Sequence, residues 1–241
     1  MFRPRIIFNG KAYRVANISQ LNRHGPRKKI TDLSAHSIVP LTNKGKKESF
    51  LLGQELDKGF TLKTYFSPLK RARQTAHQIY KGHKSSGGTV AKYSRHKRIG
   101  VRQELTHDIL KDPAFLEKEQ ARFGGDNNPV LNKWLDGKYS KNKFIPSRDI
   151  AKRIISKRLA LGQRAARKGA KGWLILNVTH DWHVMAVLNE LLGKNPFALK
   201  LTTPKPNKGL KIYHTKEGLD ILEYQGKRFD VTEKLKAFQK K

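Results

Sequence analysis

Apolar and polar positions along the 241 residues fall into short blocks whose spacing alternates between strand-like and helix-like periods. Val15 to Leu21 is a half-apolar run halted at Asn22-Arg23-His24-Gly25-Pro26, which reads as a strand feeding a loop at its C-terminal end. Thr42 precedes Phe50, Leu51, Leu52 and Leu56. That spacing predicts a helix capped by Thr42 and running through Leu56, with Gly53 a weak point. Thr61 to Phe66 reads as a second strand. Ser67-Pro68 stops it and, with Pro68 at the first helical position, predicts a helix through about Tyr80. Ile99 to Leu105 is a third extended piece, and Phe115 to Asp136 has loop character around Gly124 to Pro129.

Ile150, Ile154, Ile155 and Leu159 set one narrow apolar stripe on a helix from about Arg148 to Arg167. Trp173 to Val178 is a near-continuous apolar run, the mark of a buried strand. Beyond Thr179-His180-Asp181, Val184, Val187, Leu188, Leu191 and Leu192 predict a core helix ending at Gly193. Leu210 to Tyr213 and Leu219 to Tyr224 alternate as late strands do. Strands alternating with helices predict an α/β fold of three layers, a mostly parallel central sheet flanked by helices on both faces. With no repeat or low-complexity linker, one domain over residues 1–241 is expected, with basic insertions around 81–98 and 111–145.

Composition changes this picture in one respect. Apolar residues are 37% of the chain and aromatics 9%, while 51 Lys and Arg stand against 19 Asp and Glu, a formal charge of +32. From Lys58 to Gln103 there are twelve bases and no acid, and from Lys138 to Lys171 twelve more against Asp149 alone. Such a surface attracts polyanions, whether nucleic acid or phosphorylated small molecules. The absence of cysteine excludes disulfides, thiolate nucleophiles and Cys-based zinc sites. No apolar run reaches membrane-spanning length and no signal-peptide core is present, so a cytoplasmic or other soluble intracellular location is expected. The basic first residues, with Arg3, Arg5, Lys11 and Arg14, read as part of the fold.

Three polar clusters share one structural address, the loop just past a strand's C-terminal end: Asn22 to Arg27, Ser67 to Arg71, and Thr179-His180-Asp181. That edge of an α/β sheet is where ligands bind. Two histidines and several arginines gathered there suit a phosphoryl group, because Arg offers paired planar donors and a neutral imidazole can attack phosphorus. The remaining histidines show no metal-ligand spacing.

These residues carry a resemblance to the histidine phosphatase (phosphoglycerate mutase-like) superfamily over roughly residues 15–195. RHGPR at Arg23 to Arg27 looks like its Arg-His-Gly signature, and SPLKRARQTA at Ser67 to Ala76 is very close to its second motif. LTNKG with LGQEL, and VTHDWHVMAVLNELLG from Val178, agree in the family's order. The resemblance implies His24 as nucleophile, with Arg23, Arg71 and His180 holding the phosphoryl oxygens. Arg27 matches an additional pocket arginine of the acid-phosphatase branch. For the proton donor it implies Glu104 or Asp181, with Asp108 a third candidate. It further implies a phosphomonoester hydrolase that needs no metal or cofactor and acts on an anionic substrate such as a sugar phosphate, nucleotide or phosphoprotein. A fold recruited to RNA through its basic surface is the alternative, and a mutase ranks last.

Overall fold

The computed structural model describes residues 4–28, 37–91, 109–167 and 172–238. Its frame is a seven-stranded sheet built from β1 (Arg5–Phe8), β2 (Lys11–Arg23), β3 (Thr61–Phe66), β4 (Trp173–Thr179), β5 (Gly209–Thr215), β6 (Asp220–Tyr224) and β7 (Lys227–Asp230). The order is β3-β4-β2-β5-β6-β7, with β1 paired to the N-terminal half of β2. β3, β4 and β2 run parallel, while β5, β6 and β7 add antiparallel pairings, so four strands (β2, β3, β4, β6) point one way. The fold is α/β, as the alternating periods predict.

Side chains alternate across β4 and define two cores. Leu174, Leu176 and Val178 join Ile18 and Leu62 beneath α1 (Asn43–Glu55) and α2 (Lys70–Ser85). On the other face, Ile175, Leu21 and Leu210 meet α7 (Asp181–Leu192) and the α5–α6 helical run. That run is α5 (Ser147–Ile154), a π turn (Ile155–Leu159) and α6 (Ala160–Arg167), where one unbroken helix is expected. The π turn leaves Ile154, Ile155 and Leu159 all buried and lets the Leu159 carbonyl accept from Ser19 Oγ at 3.1 Å.

Two further elements differ from the pattern. α2 begins at Lys70, not at Pro68, because Ser67 is engaged elsewhere: its N–H extends the sheet to Val178 and its hydroxyl meets His180. The stretch read as loop holds α3 (Pro113–Arg122) and α4 (Asn127–Leu135) joined by a turn. Asp112 and Asp126 cap them through side-chain bonds to Phe115 N and Asn128 N, and Pro129 lies in the first turn, where no backbone donor is lost. α8 (Thr232–Ala237) closes the described chain. The extended piece at Ile99 to Leu105 lies outside the described residues. Among the described residues no helix is long and apolar enough to cross a membrane.

Candidate active site

Parallel pairing sets the C-terminal ends of β2, β3 and β4 at one edge of the sheet. Arg23 pairs with Thr179 and Phe66 with Val178, so the next residues, His24, Ser67 and His180, leave the sheet side by side. The His24 N–H donates to the Thr179 carbonyl and the Ser67 N–H to the Val178 carbonyl, each at 2.9 Å.

His24 is buried, 4% exposed. Its Nδ1 lies 2.8 Å from the Gly25 carbonyl oxygen, which can only accept, so the ring proton sits on Nδ1. Nε2 then carries a lone pair, and it accepts from the Arg71 Nε–H at 3.0 Å. Burial pushes the pKa of the ring down to about 3; the Gly25 carbonyl and Asp181 act the other way, while Arg71 and Arg23 lower it further. Gly25 is required for room. A Cβ there would stand 2.7 Å from Ser49 Oγ, and the Gly25 N–H donates to Thr75 Oγ1 at 2.9 Å.

The second imidazole faces the first. The rings of His24 and His180 have centroids 5.3 Å apart and planes inclined at 61°, and His180 Nε2 is hydrogen-bonded to Ser67 Oγ at 2.9 Å. Around them lie three guanidinium groups. Burial, then repulsion from Arg27, pushes Arg71 down to about 10, so it remains a cation at neutral pH. Burial and Arg23 likewise lower Arg27, whose Nη1 donates to the Lys28 carbonyl at 2.9 Å. Arg23 donates from Nη1 to the Pro204 carbonyl at 3.0 Å and lies 3.2 Å from Asp181 Oδ2 through Nη2. Its Nε–H is buried with no partner among the described residues. Asp181 Oδ1 accepts from the Trp182 N–H at 3.0 Å.

The fold thus brings together His24, His180, Arg23, Arg27, Arg71 and Asp181, all singled out from the sequence. Glu104 and Asp108 lie outside the described residues. Sequence reasoning missed Ser67 as the partner of His180, Thr75 as the anchor of Gly25, and the Ser49–Asn207 bond of 3.0 Å behind the loop. Ser67 opens the SPLKRARQTA motif and could have been found there; Asn207 sits in a Pro- and Lys-rich loop with no periodic signal. Among the described residues no three His, Asp or Glu side chains gather as a metal site requires.

The chain belongs to the histidine phosphatase superfamily, whose branch 1 sequence model matches residues 20–227. Solved structures agree on the fold. A mycobacterial glucosyl-3-phosphoglycerate phosphatase in complex with inorganic phosphate aligns at a TM-score of 0.58 and 17% identity, over 88% of this chain and 98% of that one. Phosphoglycerate mutase from Bacillus anthracis gives 0.55 and 16%, over 92% and 97%. Phosphoserine phosphatase from Entamoeba histolytica, with 3-phosphoglyceric acid, gives 0.51 and 19%, over 91% and 99%. No match was found among curated protein sequences.

Proposed function

We propose that this chain hydrolyses a phosphomonoester through a phosphohistidine intermediate on His24. One observation carries the reading: a buried, neutral imidazole whose Nδ1 is tied to Gly25 and whose Nε2 lone pair faces the Arg71 guanidinium. Such a ring is a nucleophile already oriented toward an anion-binding cation. A phosphoryl dianion among Arg23, Arg27, Arg71 and His180 relieves the mutual repulsion of the three guanidinium groups, which Asp181 offsets only in part. It also offers an acceptor to the Arg23 Nε–H, a buried donor that has no partner among the described residues and is costly to leave unpaired.

As a phosphoryl oxygen takes the Arg71 N–H, the Nε2 pair is freed. Nε2 attacks phosphorus in line, the bond from phosphorus to the ester oxygen breaks, and that oxygen takes a proton from a carboxyl group. Water then attacks the phosphohistidine, a proton returns to the carboxylate, and inorganic phosphate leaves. We assign this role to Asp181, which takes up its proton as the phosphoryl dianion replaces it on Arg23. None of these roles calls on a metal ion.

The test is turnover of p-nitrophenyl phosphate in the presence of a chelator, by the native chain and by His24→Ala. The expected loss is roughly 10³-fold or more, as when a nucleophile is removed from a machinery that acts as a unit. Unchanged turnover in the variant discards His24 as the nucleophile.

A further inference from the structure

Beside the phosphate-binding groups lies a cavity of about 160 Å³ whose lining includes Arg71, His180 and Asp181. His183 aside, the rest of the wall is of a different character. Leu69, Ile109, Leu110, Leu116, Phe144 and Trp182 supply six of its ten lining residues. In a chain with 51 Lys and Arg, no lysine among the described residues reaches this wall, and Arg71 is the only guanidinium that they place there. Among the described residues, a leaving group carrying a second phosphate or a carboxylate would find no second lysine or arginine here.

The wall is also stiff. Trp182 stacks on Phe144 with centroids 5.9 Å apart and meets Trp134 at 5.4 Å with the ring planes tilted by 36°. Leu110 bridges to Phe144 through the backbone, and the Ile145 N–H donates to the Ile109 carbonyl at 2.8 Å. An apolar cavity of about 150 Å³ accommodates a benzene ring, and aromatic walls favour stacked or edge-on rings.

We infer that this cavity receives the leaving group, and that the substrate is a small monoester of a single-ring aromatic or benzylic alcohol. The inference rests on the phosphatase reading and narrows it. With the phosphoryl group on Arg71 and His180, the ester oxygen lies toward Asp181 and the ring beyond it against Trp182, the very next residue.

Inhibition constants of non-hydrolysable phosphonates test this without the bias that aryl esters, with their better leaving groups, introduce into rates. Benzylphosphonate is expected to compete roughly 10- to 30-fold more tightly than methylphosphonate, from burial of one ring. Phosphonoacetate, with its added carboxylate, is expected to be no tighter than methylphosphonate. Leu116→Lys, placing an ammonium group at the half-buried rim, is expected to bring the benzyl-to-methyl ratio close to one, with circular dichroism confirming the fold. Equal constants for the two phosphonates on the native chain overturn the ring subsite and leave the phosphatase reading standing. If neither phosphonate inhibits, the phosphate site itself falls and takes the subsite with it.

Discussion

A histidine that is to attack phosphorus must keep its electron pair at the working pH, and in His24 burial does most of that. Because its pKa is depressed to about 3, protonation of this ring causes no loss of kcat/KM between pH 8 and pH 5, and an acid limb in that window belongs to another group. The same depression has a consequence for stability. With the folded pKa below the ordinary 6.5, the unfolded chain takes up a proton that the folded chain refuses. Stability therefore falls as pH drops from about 6.5 toward 3, with no contribution above that window. Urea unfolding at pH 7.5 and pH 4.5 is expected to show a smaller acid-induced loss for His24→Gln than for the native chain. An equal loss in both would mean that the ring is protonated in the folded state.

A different histidine holds the sheet. His214 Nδ1 is 2.6 Å from Asp220 Oδ1, its Nε2 is 2.9 Å from Ser19 Oγ, and Gln163 Nε2 bonds to the other Asp220 oxygen, all of them buried. The Ser19 hydroxyl has one proton, and with that proton donated to the Leu159 carbonyl, His214 must donate from Nε2. Whichever atom of the His214–Asp220 pair holds the remaining proton, removing one partner strands the other in a dry interior. Asp220→Ala and His214→Ala are each expected to cost about 3–5 kcal/mol, and the double variant much less than their sum. Denaturant titration of the three variants decides. At this scale the sequence was legible where chemistry sits next to punctuation, as at His24-Gly25-Pro26 and Thr179-His180-Asp181. Ser67, Thr75 and the His214 pair were not, since a polar residue whose partner is far along the chain leaves no periodic trace.

Among the elements, α1 and α2 show how a propensity argument can point the wrong way. Gly53 reads as a weak point in α1, where glycine costs roughly 1 kcal/mol against alanine. In the fold it faces α2, where a Cβ would collide with the Ile79 carbonyl, and Gly82 of α2 meets the Phe50 carbonyl of α1 in the same manner. The two helices touch backbone to backbone through these glycines. Gly53→Ala is therefore expected to destabilise by about 1–3 kcal/mol, because overpacking outweighs the propensity gain. A rise in melting temperature for this variant would show that the helices can part at little cost. The site depends on that contact, since α1 carries Ser49 and α2 carries Arg71 and Thr75. The element boundaries legible in advance were those set by local chemistry, such as the Thr42 cap, which accepts from the Gly45 N–H at 3.0 Å, and the left-handed Gly193 that ends α7. The start of α2 and the pair α3 and α4 were decided by tertiary bonds and by aspartate caps, which compete with the loop signals of Gly124 to Pro129.

Over the whole molecule, a charge of +32 acts on any anion before contact is made. A cluster of three arginines inside a surface of the same sign focuses that field on the sheet edge where His24 stands, so on the proposed phosphatase reading approach of a phosphorylated substrate is accelerated and salt must slow it. We expect kcat/KM for an aryl phosphate to fall by roughly an order of magnitude between about 20 mM and 500 mM salt, within the range that steering by a like-signed cleft provides. Its kcat should change far less, because groups packed around a bound dianion are shielded from bulk ions. The polyanion alternative makes a different demand: RNA affinity falling linearly on a double-logarithmic salt plot, with a slope that counts displaced phosphate counterions and is the same in His24→Ala. A salt effect confined to kcat/KM and abolished with the nucleophile assigns the charge to the small substrate. Salt-independent turnover beside steep RNA binding assigns it to the polymer.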